Sequence, residues 1–154
     1  MAVKTIITTA EDEAGILSQK TIPLKVGDDG NIVFTDSHKQ VIQDMKDTTV
    51  SISALGLAAN QIGHPFSIML ITTPDGHQVI INPTLVGTKG KAYSFGENCL
   101  SAGGPVDIKR HKFVILKGFD EEGKPLTIRS KSKMTAFVIQ HEIDHLNGLT
   151  ILDR

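Results

Sequence analysis

The sequence predicts an α+β domain in which mostly antiparallel β-sheets surround a buried C-terminal helix. Three observations support this fold class. An early segment has apolar residues at helical spacing, a middle region has short β-like runs separated by turn residues, and the last segment is again helical with one apolar face. A length of 154 residues matches one domain with its own core, so we expect a single domain over residues 1–154.

The first predicted helix follows a turn-rich loop at residues 25–30. Ser37 with Gln40 three residues later resembles a capping box, in which two side chains bind backbone amides at the start of a helix. The side chains that recur at helical spacing after it are Val41, Ile42, Met45, Thr49 and Ile52. This spacing places them on one face, as expected for a helix that packs on a core.

Two β-hairpins are predicted in the middle of the chain. The first joins residues 67–72 to residues 78–81 through Pro74-Asp75-Gly76, and the second joins residues 113–119 to residues 126–129 through residues 121–124. We also expect residues 85–95 to be extended, although Gly87 and Gly90 weaken a strand.

A second helix is predicted near the end of the chain. Ser130 or Ser132 can cap its start, and Gly148 can end it. The side chains that share one face of this helix are Met134, Phe137, Val138, His141 and His145. Because the histidines lie on the apolar stripe, we expect both imidazole rings to point into the protein.

Composition excludes several functional classes. The formal net charge is −1, so no general basic field attracts nucleic acid or an anionic membrane. The apolar runs are too short to cross a bilayer, and the first residues do not resemble a secretory signal. The single cysteine, Cys99, cannot form an internal disulfide bond, which fits a reducing cytoplasm. We therefore expect a cytoplasmic protein that binds neither nucleic acid nor membrane.

The strongest single motif is His141-Glu142-Ile143-Asp144-His145. Side chains four residues apart lie on the same face of a helix, so both imidazoles can bind one metal ion. Glu142 follows the first ligand directly and can act as a general base towards an attacking water molecule. The alternative is a surface helix with coincidental histidines, but buried histidines without partners are costly. The motif therefore favours a metal site.

The third ligand is expected from the upstream sequence. Only nine residues follow His145, too few for the distant Glu of thermolysin-like enzymes, and Ile151 stands where metzincins have a third His. Cys99 is the best candidate, because a thiolate binds divalent transition metals strongly. An isolated cysteine is more commonly a small buried hydrophobe. The polar, turn-like setting at residues 96–101 argues against that alternative.

Three motifs resemble the signatures of the peptide deformylase family, in the family order and at similar spacing. They are GLAANQIG at residues 56–63, ENCLS at residues 97–101 and QHEIDHLNG at residues 140–148. INP at residues 81–83 and GFDEEGKPLTI at residues 118–128 extend the resemblance over most of the chain from Ile52 onward. The resemblance implies a metal-dependent hydrolase that removes the formyl group from the formyl-methionine of nascent polypeptides and releases formate.

The resemblance also implies roles for individual residues. Cys99, His141 and His145 would hold the metal, and Glu142 would move the proton. The Gln61 side-chain amide and the Leu100 backbone N–H would bind the formyl oxygen as it becomes an oxyanion. Arg110 would pair with Asp144 in a structural role. The residues expected to bind substrate are Leu55, Gly56, Phe95, Glu97, Met134, Phe137 and Val138. For Phe95, Met134, Phe137 and Val138, the alternative is a place in the core.

The ligand set of one thiolate and two imidazoles suits Zn²⁺, Ni²⁺, Co²⁺ or Fe²⁺. The family resemblance implies Fe²⁺ as the physiological ion. Two positions differ from the family pattern, with Ala54 and Asn98 in place of the usual glycines. Bacterial members usually carry a further C-terminal helix, whereas this chain stops at Arg154, which resembles the short forms encoded by bacteriophages.

Two other functions remain open at this stage. One is a peptidase that uses the same metal and glutamate chemistry, which the upstream Cys99 disfavours. The other is an inactive relative that only binds formyl-methionyl peptides, although every chemical residue of the family is present. We expect the protein to act as a monomer on a formyl-methionyl nascent peptide, including peptides still at the ribosome.

Overall fold

The computed structural model describes residues 2–154. The first long helix, α1 (Asp36–Ile52), begins one residue after Thr35. Thr35 Oγ1 accepts a hydrogen bond from the His38 backbone N–H at 3.2 Å, and Thr35 N–H donates to His38 Nδ1 at 3.2 Å. The predicted capping box of Ser37 and Gln40 is wrong by two residues, because an N-cap needs extended backbone angles and Ser37 already lies within the helix.

Five strands form one antiparallel sheet in which sequence order and spatial order agree. The strands are β1 (Gly56–Ala58), β2 (Ile68–Thr73), β3 (Gly76–Cys99), β4 (Gly103–Phe119) and β5 (Pro125–Arg129). Both predicted hairpins are present, between β2 and β3 and between β4 and β5. β1 lies at one edge of the sheet, where its outer side has no strand partner among the described residues.

β3 and β4 are much longer than the runs that predict them. Residues 85–95 lie inside the 24-residue β3, and neither Gly87 nor Gly90 ends the strand. Register shifts between β3 and β4 absorb the irregular positions, including the one at Leu85 and Gly87. β3 therefore continues to Cys99, and only a three-residue turn separates it from β4.

The two helices cover opposite faces of the sheet. On β2, Ile68 and Leu70 pack in the cluster that contains the apolar face of α1, whereas Met69 and Ile71 pack with the second helix. All four side chains are fully buried, which explains their uninterrupted apolar run. Burial of each such side chain contributes roughly 1.5–3 kcal/mol.

The second helix, α2 (Lys133–Leu146), is the buried C-terminal helix that the sequence predicts. Ser132 caps it by accepting a hydrogen bond from Thr135 N–H at 3.1 Å. Gly148 follows its end with a φ of 77°, a left-handed angle that favours glycine. The chain then forms a 3₁₀ turn at Ile151–Asp153. Within residues 2–154, no helix is long and apolar enough to cross a membrane.

Candidate active site

α2 presents His141 and His145 towards the end of β3. Their rings are four residues apart and their centroids lie 5.1 Å apart. Gln140 fixes the helix to β4, because its side chain accepts a hydrogen bond from His111 N–H and donates one to His111 O, at 2.9 and 2.8 Å. These two hydrogen bonds to the backbone fix the rotation of α2 about its axis, and this rotation sets the direction in which the two imidazoles point.

Cys99 reaches the same place from the last position of β3. Its Sγ lies 3.3 Å from His145 Nε2, and the ligand atoms of Cys99, His141 and His145 all lie within 4.8 Å of one another. His141 Nδ1 lies 3.0 Å from Glu97 Oε1, a contact in which Nδ1–H can donate to the carboxylate and Nε2 remains available to bind an ion. One sulfur and two imidazole nitrogens in this arrangement fit a tetrahedral ion that keeps one open position.

The surroundings of Cys99 have features of both sequence interpretations, the metal ligand and the small buried hydrophobe. The residue lies in a strand rather than a turn, and it packs with Ile108 and Ile151 in a small apolar cluster. Its burial is therefore that of a small hydrophobe, while its sulfur is directed at the histidines. The predicted turn-like setting is wrong for Cys99 itself, because the turn begins at Leu100.

The electrostatics of the cluster favour a thiolate. Burial opposes ionisation of Cys99, but hydrogen bonds and charge interactions with His141 and His145 outweigh it and lower the pKa of the thiol to about 5. Burial likewise opposes the charged form of His141, but its interactions with Cys99 and Glu97 raise the pKa of the imidazole to about 10. A metal cation at this position would take the place of the protons, because cations of this kind bind a thiolate and a neutral imidazole.

Glu142 is buried beside the cluster. Its Oε1 lies 3.9 Å from His141 Nε2, and its Oε2 has no hydrogen-bond partner among the described residues. Burial raises the pKa of this carboxyl above its ordinary value. Gly56 allows the close approach, because a Cβ at that position would lie 2.9 Å from Glu142 Cγ. A buried carboxylate with a free oxygen is suited to exchange protons with a bound molecule.

Gln61 lies in the 3₁₀ turn Ala59–Ile62 directly after β1. Its Oε1 accepts a hydrogen bond from Ala58 N–H at 2.9 Å, and its Nε2 donates to Ser101 Oγ at 3.1 Å. The amide nitrogen has two hydrogens, so one remains for a ligand. The neighbouring Asn60 donates from Nδ2 to His145 O at 2.6 Å. These bonds hold the turn against α2 and the ENCLS segment.

A cavity of about 400 Å³ opens at the cluster of Cys99, His141 and His145. Its lining includes each sequence-predicted residue for catalysis and substrate binding, together with Cys99 and His141. His145 lies behind them and is 1% exposed. The predicted substrate residues in the lining are Leu55, Gly56, Phe95, Glu97, Met134, Phe137 and Val138.

The pocket interpretation is favoured over the core interpretation for Phe95, Met134 and Phe137, whereas Val138 lines the cavity and also packs against a core cluster. Phe95 is 77% exposed and Met134 is 61% exposed, while Phe137 and Val138 are half-buried. None of the four is a fully buried core residue. Leu55 and Leu100 are also exposed at the rim, so the mouth of the cavity is apolar on several sides. Such surface is suited to an unbranched hydrophobic side chain.

Glu97 lies in the cavity wall, but its carboxylate is directed at protein groups. Arg110 donates two hydrogen bonds to it, from Nε at 2.6 Å and from Nη2 at 2.8 Å, and His141 supplies a third contact. Burial raises the pKa of Glu97, but the bonds from Arg110 and His141 outweigh it and lower the pKa to about 2. Arg110 Nη1 also donates to Asp144 Oδ2 at 2.9 Å, the pair that the sequence predicts.

Sequence reasoning missed several residues around this site. Ile52, Ser53, Ala54 and Ser94 also line the cavity, and only their position beside the motifs could have indicated this. Arg154 pairs with Asp144, a contact for which the sequence contains no spacing signal. Asn98 donates from Nδ2 to Gly96 O at 3.2 Å, so the side chain that replaces the usual glycine supports the irregular last residues of β3.

Comparisons with known proteins agree with the motifs. The family model for polypeptide deformylases matches residues 4–154. The peptide deformylase of Aquifex aeolicus is 40% identical over 123 residues, which cover 75% of this chain and 72% of that protein. A peptide deformylase structure from Legionella pneumophila has a TM-score of 0.85 and 31% identity, covering 99% of this chain and 85% of that one.

A further structure extends the comparison to a complex. The peptide deformylase of Ehrlichia chaffeensis in complex with actinonin has a TM-score of 0.83 and 30% identity, and the match covers 99% of this chain and 88% of that one. The family match spans nearly the whole chain and includes the N-terminal segment that the motifs leave out. The chain therefore belongs to the polypeptide deformylase family, metal-dependent hydrolases that remove the N-formyl group from the N-terminal methionine of nascent polypeptides.

Proposed function

We propose that Cys99, His141 and His145 hold one divalent metal ion and that Glu142 is the general base and acid of deformylation. The observation that carries the proposal is the convergence of the three ligand atoms within 4.8 Å of one another beside a buried carboxylate with a free oxygen. The open side of this cluster faces the cavity, where a formylated peptide end can enter.

When bound by Cys99, His141 and His145, the ion would supply Lewis-acid chemistry, which would activate water and polarise the formyl carbonyl group. Glu142 accepts a proton from the attacking water molecule, whose oxygen bonds to the formyl carbon. The carbon–nitrogen bond then breaks, and Glu142 returns the proton to the departing amine. The products are formate and a peptide with a free amino terminus.

Two donors would bind the formyl oxygen. The second hydrogen of Gln61 Nε2 is one, and the backbone N–H of Leu100, next to the ligand Cys99, is the other. Charge develops on this oxygen in the transition state, so a donor there lowers the barrier by roughly 3–4 kcal/mol. The bonds from Gln61 to Ala58 and Ser101 support this role, because they fix the amide before substrate binds.

The peptide main chain would extend the sheet at β1. Leu55 and Gly56 stand at the edge strand, where an extended peptide can form backbone hydrogen bonds as an added strand. The methionine side chain would then lie against Phe95, Met134, Phe137 and Val138. An apolar surface suits the thioether, which is flexible and weakly polar.

Glu97 would act on His141 rather than on substrate. Its contact with Nδ1 keeps Nε2 directed at the ion, as partners of metal-binding histidines generally do. Arg110 holds Glu97 from behind and links it to Asp144. This arrangement accounts for a glutamate in the cavity wall that has no free oxygen to offer a ligand.

The ion that we infer is Fe²⁺, with Zn²⁺, Ni²⁺ or Co²⁺ as replacements in purified protein. The family relationship supports iron, since the ligand set alone accepts all four ions. We infer further that the protein works as a cytoplasmic monomer on formyl-methionyl nascent peptides, including those at the ribosome, without binding nucleic acid or membrane itself.

The division of roles is tested by comparing Glu142→Ala with Cys99→Ala. Glu142→Ala should keep one bound metal per chain and lose deformylation by at least about a hundredfold, because general acid–base catalysis contributes roughly 10²–10⁴. Cys99→Ala should lose most of its metal. The matched control is Glu122→Ala, at an exposed turn position, which should keep both properties. Substantial turnover by metal-loaded Glu142→Ala would show that another group is the base.

A further inference from the structure

Asp144, between the two histidines on α2, accepts hydrogen bonds from two arginines. Arg110 Nη1 donates to its Oδ2 at 2.9 Å, and Arg154 donates to the same oxygen from Nε at 3.1 Å. Arg154 Nη2 also donates to Oδ1, so the second guanidinium binds both oxygens of the carboxylate. Asp144 is nearly fully buried, and Arg154 reaches it from a partly exposed position.

Four charged side chains, those of Arg154, Asp144, Arg110 and Glu97, form a continuous line of ion pairs that ends at His141, a proposed metal ligand. Arg154 binds Asp144, Asp144 binds Arg110, Arg110 binds Glu97 through two hydrogen bonds, and Glu97 contacts His141 Nδ1. Two carboxylates and two guanidinium groups leave the line with no net charge. Without Arg154, Arg110 alone would have to balance the charges of both Glu97 and Asp144. Its guanidinium group donates two hydrogen bonds to Glu97 and only one to Asp144, so the Asp144 carboxylate would lose most of its hydrogen bonds.

The segment that carries Arg154 has a defined conformation. Thr150 and Asp153 cap each other across the 3₁₀ turn, with Asp153 Oδ2 accepting from Thr150 N–H at 2.8 Å and Thr150 Oγ1 accepting from Leu152 N–H at 3.1 Å. Ile151 is buried against Cys99 and Ile108. The turn is therefore packed behind one proposed metal ligand, and it directs Arg154 to the ion-pair line that leads to another.

We propose that Arg154 is a positioning residue for the metal centre, which acts on His141 through Asp144, Arg110 and Glu97. This inference rests on the proposed function, because it assigns His141 to the metal. Neither Asp144 nor Arg154 lines the cavity. Loss of Arg154 should therefore affect metal affinity and the rate of the chemical step, while substrate binding should change little.

The test compares Arg154→Ala and Arg154→Lys with Arg129→Ala, an exposed arginine on β5 that serves as the matched control. Cobalt affinity is measured by competition with a chelator, and the visible absorption spectrum of the cobalt-loaded protein reports the ligand geometry. Arg154→Ala should bind Co²⁺ about tenfold more weakly and show a changed spectrum, within the range expected for partners of metal ligands. Arg154→Lys, which keeps the charge, should recover part of the loss, and Arg129→Ala should match the parent protein.

Turnover of a formyl-methionyl tripeptide provides the second measurement. We expect kcat to fall about tenfold in Arg154→Ala with KM within about twofold of the parent. Parent-like cobalt affinity, spectrum and kcat in folded Arg154→Ala overturn the proposal. If that variant does not fold, Arg154→Gln replaces it, and equal cobalt affinity in Arg154→Gln and Arg154→Lys overturns the proposal. Should the parent protein fail to deformylate while the cobalt results hold, the proposed function is wrong and the positioning role of Arg154 stands.

Discussion

The carboxylate of Glu142 is buried, and one of its oxygens has no hydrogen-bond partner among the described residues. Burial without a partner destabilises the charged form, which explains why the pKa of Glu142 is raised. A base is most useful when its pKa approaches the working pH, because it can then both accept and return a proton. The same local environment therefore suits Glu142 to the proton transfer that we propose for it.

Phe137 tests the side-chain pocket at the level of one residue. Phe137→Asp introduces a charge into the apolar lining, so the preference for formyl-methionyl over formyl-alanyl peptides should disappear. In the parent protein the ratio of the two kcat/KM values should correspond to roughly 1–3 kcal/mol of transition-state binding free energy, as expected when a hydrophobic pocket distinguishes two side chains. Phe137→Leu, which stays apolar, is the control and should keep most of it. An unchanged methionine-to-alanine ratio in folded Phe137→Asp would place Phe137 outside the pocket.

The residues of the site differed in how well the sequence could predict them. His141 and His145 follow from helical spacing and a known motif, and the chemistry of a single thiol pointed to Cys99. The direction of the Glu97 carboxylate could not be predicted, because it depends on Arg110, a partner in another strand. Arg154 was missed for a similar reason, since its contact with Asp144 depends on how the chain turns after Gly148.

At the level of elements, the end of α2 depends on one glycine. Gly148 has a φ of 77°, and a Cβ there would lie 2.8 Å from the backbone C and O atoms of Ser18. Gly148→Ala should therefore cost more than the roughly 1–3 kcal/mol of backbone strain expected for a residue in this conformation. Gly30→Ala is the matched control, since Gly30 has a φ of 81° with nothing within 4 Å of an added Cβ.

The comparison is made by chemical denaturation of both variants and the parent protein. The loss of unfolding free energy should be clearly larger for Gly148→Ala than for Gly30→Ala, because only the first adds a steric clash. Equal losses would mean that the segment around Ser18 moves aside, and that the end of α2 is less constrained than the structure indicates.

Sequence patterns predicted the elements well where local signals decide them. The two hairpins and the ends of α2 have turn residues and caps that agree with the final fold. The face predicted for α2 was wrong as a core face, because most of its residues line the cavity and the side chains that pack in the core are Ala136, Ile139 and Leu146. The length of β3 was underestimated because its glycines weaken a strand in isolation, whereas pairing with β4 along most of its length holds it extended. The start of α1 was misplaced because several residues near Thr35 can cap a helix, and only the backbone conformation selects one.

At the level of the whole molecule, the site is assembled from distant parts of the chain. The two-helix, five-strand arrangement brings the end of β3 and the C-terminal half of α2 together, although Cys99 and His145 are 46 residues apart. β1 and the turn after it supply Gln61 and the sheet edge from a third region. Motif order implied these neighbours through resemblance, but only the packing of α2 on the sheet explains them physically.

Metal-dependent deformylation by this chain is measured most directly as formate release by metal-depleted protein titrated with Fe²⁺ without oxygen. A formyl-methionyl tripeptide should yield formate and free amine in equal amounts, at a rate that stops rising near one ion per chain. Zn²⁺ should support a slower rate, air should inactivate the iron form, and the unformylated tripeptide should stay intact. Absence of formate with either ion, or cleavage of a peptide bond in the unformylated tripeptide, would show that this chain is not a metal-dependent deformylase.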